Sequence, residues 1–136
     1  MITIKEYVGH HADSADWTAE RKANAIALLL NVNALLEYLT KTLGVMSHVN
    51  PKTGSQVSGS TFGGFRPQDC CQGAPDSSHK TGQGVDVYDP SGSLDNSLND
   101  ALLGKFNLYS EHPSRTDGWM HLTTRAPKSG KRTFLP

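Results

Sequence analysis

Apolar residues early in the chain recur with the period of a helix. Between Thr18 and Leu43 there is no Gly or Pro, and Leu28, Val32, Leu35 and Leu39 fall at i, i+4, i+7 and i+11. Leu29, Leu36 and Leu43 widen that stripe, while Asn33, Glu37 and Lys41 take the wet face. The cluster Asp13-Ser14-Ala15-Asp16 supplies N-cap chemistry, which predicts a start near Trp17, and Gly44 stands where a left-handed residue ends a helix.

Residues 47–83 follow the opposite rule. Pro51, Gly54, Gly59, Gly63, Gly64, Pro67, Gly73, Pro75 and Gly82 interrupt any long helix there and predict short strands joined by ordered loops. A loop region of that length inside a compact domain is usually functional. Val85-Asp86-Val87-Tyr88 alternates apolar and polar between Gly84 and Pro90 and reads as a strand. Leu94, Leu98, Leu102 and Leu103 predict a second helix from about Leu94 to Phe106, and Asn107–Tyr109 and Trp119–Thr123 predict two further strands. The tail from Arg125 to Arg132 is basic, is broken by Pro and Gly, and reads as a solvated extension, with docking to a partner as its other use. Together these predict one α+β domain over residues 1–136, with a long N-terminal helix packed on a small, mainly antiparallel sheet.

Charge narrows the partners. Lys+Arg and Asp+Glu number 13 each, so no net field draws the chain to nucleic acid or to an acidic membrane. The longest unbroken apolar run, Ala25 to Leu30, is far short of the roughly 20 residues of a spanning helix, which predicts no membrane insertion. Met1 to Lys5 carry no charged segment leading into an apolar one, so no secretory signal is expected and synthesis is expected in the cytoplasm. The two cysteines, Cys70 and Cys71, are adjacent; a disulfide between them would staple nothing distant, and they read as reduced thiols.

The chemistry concentrates between Ser77 and Asp86. His79 precedes a Gly-rich turn and Asp86 lies in the strand after it, so the turn brings imidazole and carboxylate toward one point. Trp119-Met120-His121-Leu122 sets another imidazole in an apolar, strand-like run, where it needs a partner. Two imidazoles and one carboxylate, with water in the fourth position, is how catalytic zinc is held. Each residue also has a plainer reading: His121 as a hydrogen-bonded core histidine, Asp86 as a turn cap, and His-x6-Asp as an unrestrictive spacing. His10-His11 reads as solvated, and Cys70-Cys71 lacks the Cys-x2-Cys spacing of a zinc site.

Ser77-x-His79-x6-Asp86, followed farther on by Trp119-x-His121, resembles the zinc D-Ala-D-Ala carboxypeptidases and peptidoglycan endopeptidases. That family includes the vancomycin-resistance D,D-peptidases and many phage endolysins. Gly64-Phe65-Arg66-Pro67 resembles the family's Ser-Gly-Tyr-Arg segment, and the matches span about residues 58–124. The resemblance implies a hedgehog/D,D-peptidase-like zinc peptidase fold. It implies that His79, Asp86 and His121 ligate Zn2+, that Arg66 contacts the peptide, and that Ser77 or Ser78 bonds substrate or supports the site. For Arg66 a surface salt bridge, and for Ser77 a plain turn role, are the structural alternatives.

Two positions depart from the pattern. Many members carry a general base as Glu-x-x-His, but Gly118 stands there; Asp117 is the nearest carboxylate and is the expected base, with Glu111 and His112 farther off. Gly63 stands where the family has Ser, unless Ser60 fills that role through a longer loop. The implied activity is zinc-dependent hydrolysis of peptidoglycan stem peptides by a zinc-activated water, after release from the cell or as a virion component. The alternative is a phage virion or wall-binding module on the same fold with weak or lost catalysis, with other virion proteins as partners.

Overall fold

The computed structural model describes residues 1–58, 63–70, 74 and 76–135. Ser60, Cys71 and the breakers Gly59, Gly73 and Pro75 lie outside the described residues. A short helix, α1 (Ile4–Val8), opens the chain; Thr3 and Glu6 cap it reciprocally and Tyr7 and Val8 go into the core. The long helix, α2, spans Ala19–Leu43. Its cap is Thr18, whose hydroxyl accepts from the Arg21 N–H, so the helix begins just beyond the Asp13–Asp16 cluster. Gly44 ends it in the left-handed region with φ 67°, as its position predicted. Leu28, Leu29, Val32, Leu35, Leu36 and Leu39 are buried, but Leu43 is half exposed and does not extend the stripe.

Among the described residues four strands follow: β1 (Gly84–Tyr88), β2 (Tyr109–Glu111), β3 (Trp119–Thr123) and β4 (Thr133–Phe134). They lie in the order β1-β3-β2-β4. β3 pairs antiparallel with both β1 and β2, and β4 pairs parallel with β2, so the sheet is mixed. Val85, Val87, Met120 and Leu122 point to one face and are fully buried in the cluster that holds the α2 leucines. Alternation then sends Asp86, His121 and Glu111 to the opposite face.

Four expectations differ. The short strands expected over residues 47–83 are absent among the described residues, where only isolated bridges join Asn50 to Ser55 and Val57 to Val87. The helix over Leu94–Phe106 is broken into a 3-10 turn, Asp95–Ser97, and a short α3, Asp100–Lys105. Leu98 between them is extended, and the Asn99 side chain accepts from the Leu102 N–H; a good N-cap residue inside a leucine periodicity started a new helix. The strand expected at Asn107–Tyr109 is shifted to Tyr109–Glu111, because Asn107 turns the chain at φ 54°. The tail is solvated in its middle, with Ala126 and residues 128–131 exposed, but it is anchored at both ends. The Ser110 N–H donates to the Arg132 carbonyl, the His112 N–H donates to the Phe134 carbonyl, and the Arg132 guanidinium stacks 4.4 Å over the Tyr109 ring. By length and composition α2 is also apolar enough to cross a membrane, with mean hydropathy 1.3 over its best window. The short unbroken run had concealed this, although one side of α2 is committed to the protein core.

Candidate metal centre

β1 and β3 bring the site together. Asp86 and His121 are direct cross-strand partners, and continuing the β2–β3 register by one residue from Ser110↔Leu122 sets Glu111 opposite His121. One row across three strands therefore carries Asp86, His121 and Glu111 on the face away from the core. His79 arrives from the loop before β1, where the Arg66 N–H donates to its carbonyl. His79 and His121 are buried, and their ring centroids lie 5.1 Å apart.

Asp86 Oδ1 is the common point. It accepts from His121 Nδ1 at 2.8 Å and lies 3.3 Å from His79 Nε2. His79 Nδ1 donates to the Gly64 carbonyl at 2.8 Å, which fixes the tautomer and leaves Nε2 to face Asp86. Burial lowers the pKa of His79 and favours the neutral ring. Burial alone would raise Asp86, but the two imidazoles outweigh it and hold the carboxyl well below its usual range. His79 Nε2 and the carboxylate oxygen thus face each other at a distance that a shared proton or a cation bridges.

The donor set fits zinc. Separations of 2.8 and 3.3 Å are close to the roughly 3.3 Å between two ligands on a tetrahedral ion with bonds of about 2.05 Å. The three ligand atoms all lie within 4.8 Å of one another. The His79–Gly64 hydrogen bond is the outer contact that a metal-bound imidazole usually keeps. His79, Asp86 and His121 therefore form a buried group able to hold a metal ion.

The cluster opens on a cleft of about 640 Å³. Arg66 lines it and its Nη2 lies 3.4 Å from Asp86 Oδ2, with both side chains nearly buried, so the arginine braces the ligand carboxylate. Ser77 also lines the cleft, and its hydroxyl accepts from the His79 N–H. Asp117 does not: it is exposed in the turn before β3 and is not among the lining residues. Besides the ligand Asp86, the carboxylates that line the cleft are Asp76 and Glu111, and the one carried on the sheet, in the row of His121, is Glu111. Burial pushes its pKa up, with the Asp86 charge adding to the rise and His121, Arg115 and Arg66 opposing it.

Nearness in sequence to His121 pointed to Asp117, whereas strand pairing selects Glu111. The signal available in the sequence was the pairing of Tyr109-Ser110-Glu111 beside Trp119–Thr123. The two glycine departures have local causes. Gly118 sits at φ 96°, where a side chain strains the backbone, so this turn does not suit a glutamate. A Cβ on Gly63 would stand 1.7 Å from the Ser58 carbonyl oxygen, which leaves no room for serine. The other feature missed is the wall built by the tail. Arg125 donates to the Asp76 carbonyl, Lys128 lines the cleft, and Phe134 meets His121 edge-on at 6.3 Å.

The chain matches no protein-family model, no curated protein and no solved structure.

Proposed function

We propose that this chain is a zinc-dependent hydrolase of peptide bonds in bacterial peptidoglycan, built on a D,D-peptidase-like fold. The observation that carries the reading is the convergence of His79 Nε2, Asp86 and His121 Nδ1 beneath an open cleft with a free-standing carboxylate, Glu111, on its wall. The motif order that resembles the D,D-peptidases supplies the substrate class. His79, Asp86 and His121 would hold the ion. Zinc in such a site supplies Lewis acidity, acidifying water to near neutrality and polarising a carbonyl.

The chain's own groups do the rest. Glu111, lifted by burial, takes the proton of the attacking water on a carboxylate oxygen and returns it to the leaving amine. Arg66 pins Asp86 through Oδ2, the oxygen away from the imidazoles, while the Ser77 hydroxyl holds the His79 backbone. Arg66, Arg125 and Lys128 give the cleft cationic groups suited to carboxylate-bearing stem peptides. Glu111 also answers the absence of a base at Gly118, which was the motive for a virion or wall-binding module with lost catalysis, so the catalytic reading is preferred. The test is His79→Ala, with zinc content and peptidoglycan hydrolysis measured together. Both should be lost; a folded variant with full activity overturns the assignment.

A further inference from the structure

Opposite its core face, α2 presents a second apolar stripe. Ala19, Ala23, Ile26, Ala27, Leu30 and Ala34 share one side at helical spacing and all are exposed, Ile26 by 52% and Leu30 by 72%. No charged residue occurs from Ala23 to Leu36. Two of the three flanking amides bond inward: Asn24 donates to the Thr81 carbonyl, and Asn33 bonds both backbone groups of Ile2, while Asn31 stays half-buried beside the stripe. A helix whose uncharged middle is apolar on two opposite faces calls for cover on the second as well as the first.

We propose that two copies of this chain pair through this face, with their α2 helices antiparallel about a two-fold axis at Leu30. Charge complementarity selects that occupant and that direction. The stripe ends in Glu20 and Lys22 at one end and at the other in Glu37 and Lys41, exposed groups that pair with each other at 2.6 Å along the helix and would share their charges with the second copy. A two-fold axis at Leu30 sets Lys22 of one copy against Glu37 of the other and Glu20 against Lys41, on both sides of the axis. The same register seats Ile26 on Ala34, a large side chain over a small one, and lets the backbones approach closely. Parallel pairing would stack Lys22 on Lys22 and Glu37 on Glu37. Because one helix face buries less than a standard interface, association in the range of about 1–100 μM is expected.

The test is sedimentation equilibrium of the whole chain from about 1 μM to about 1 mM, a span that brackets the expected range. A monomer–dimer equilibrium is expected. Leu30→Glu, at an exposed position, faces two like charges across the axis and should weaken the dimer about a hundredfold or more. Lys22→Glu should weaken it, and adding Glu37→Lys in the same chain should recover part of the loss, because the 22–37 pair re-forms with reversed sign while the Glu37–Lys41 pair within the helix is given up. A chain that stays monomeric throughout overturns the proposal, as does a dimer indifferent to Leu30→Glu. Flotation with phosphatidylglycerol vesicles without self-association overturns it in favour of a lipid surface.

Discussion

Asp95 is only 3% exposed, yet just one of its carboxylate oxygens is satisfied: Oδ2 accepts from the Thr116 hydroxyl and Oδ1 has no partner. Burial, with help from the neighbouring Asp89 and Glu111 charges, pushes its pKa up to about 6 from an ordinary 3.8. Below pH 3.8 both folded and unfolded chains hold the proton, and Asp95 makes no pH-dependent contribution. Between 3.8 and about 6 the folded chain binds a proton that the unfolded chain has lost, so stability falls as pH rises. Above about 6 both are ionised and the full cost remains, on the order of 3 kcal/mol at 1.36 kcal/mol per unit. From pH 5 to 7.5 the accessible part is about 1.4 kcal/mol. Asp95→Asn removes the titration while keeping an acceptor for Thr116. Urea unfolding of both proteins across that range should show wild type losing about 1.4 kcal/mol relative to the variant as pH rises. A flat difference, or one of opposite sign, refutes the assignment of an unsatisfied buried carboxyl.

Glu111→Gln should lower turnover by about 10²–10⁴ while zinc content is retained, whereas Asp117→Asn, outside the cleft, should change it less than about twofold; steady-state kinetics with metal analysis separates the two. A Cβ at Gly84 would meet Ser78 Oγ at 2.2 Å and His121 Cε1 at 3.2 Å, so Gly84→Ala should cost about 1–3 kcal/mol and weaken metal binding, read by thermal melts with and without zinc. Leu122→Ala empties a fully buried position behind His121 and should cost about 2–5 kcal/mol in denaturant unfolding.

The features written into short stretches of sequence were legible. α2 follows from an unbroken 3.6-residue period between Thr18 and Gly44, and β1 and β3 follow from alternation between breakers. His79, Asp86 and His121 were grouped by a motif order that resembles the zinc D,D-peptidases, since the His-x6-Asp spacing alone is unrestrictive. What depended on distant pairing was not legible. β4 is two residues long and gains its place only from backbone bonds to β2, so its sequence carried no period to detect. Glu111 reaches the site through the β2–β3 register, ten residues from His121 along the chain, while Asp117, nearer in sequence, is exposed and does not line the cleft. The leucines from Leu94 to Leu103 keep a helical spacing across a break because Leu98 is extended and Asn99 caps a new helix.

The central claim is tested most directly by mass spectrometry of defined muropeptides incubated with the chain, with chelator, and with zinc restored. The account predicts loss of a terminal D-Ala or separation of cross-linked dimers, abolished by chelation and recovered with zinc. Unchanged muropeptides in the presence of protein carrying stoichiometric zinc would contradict it.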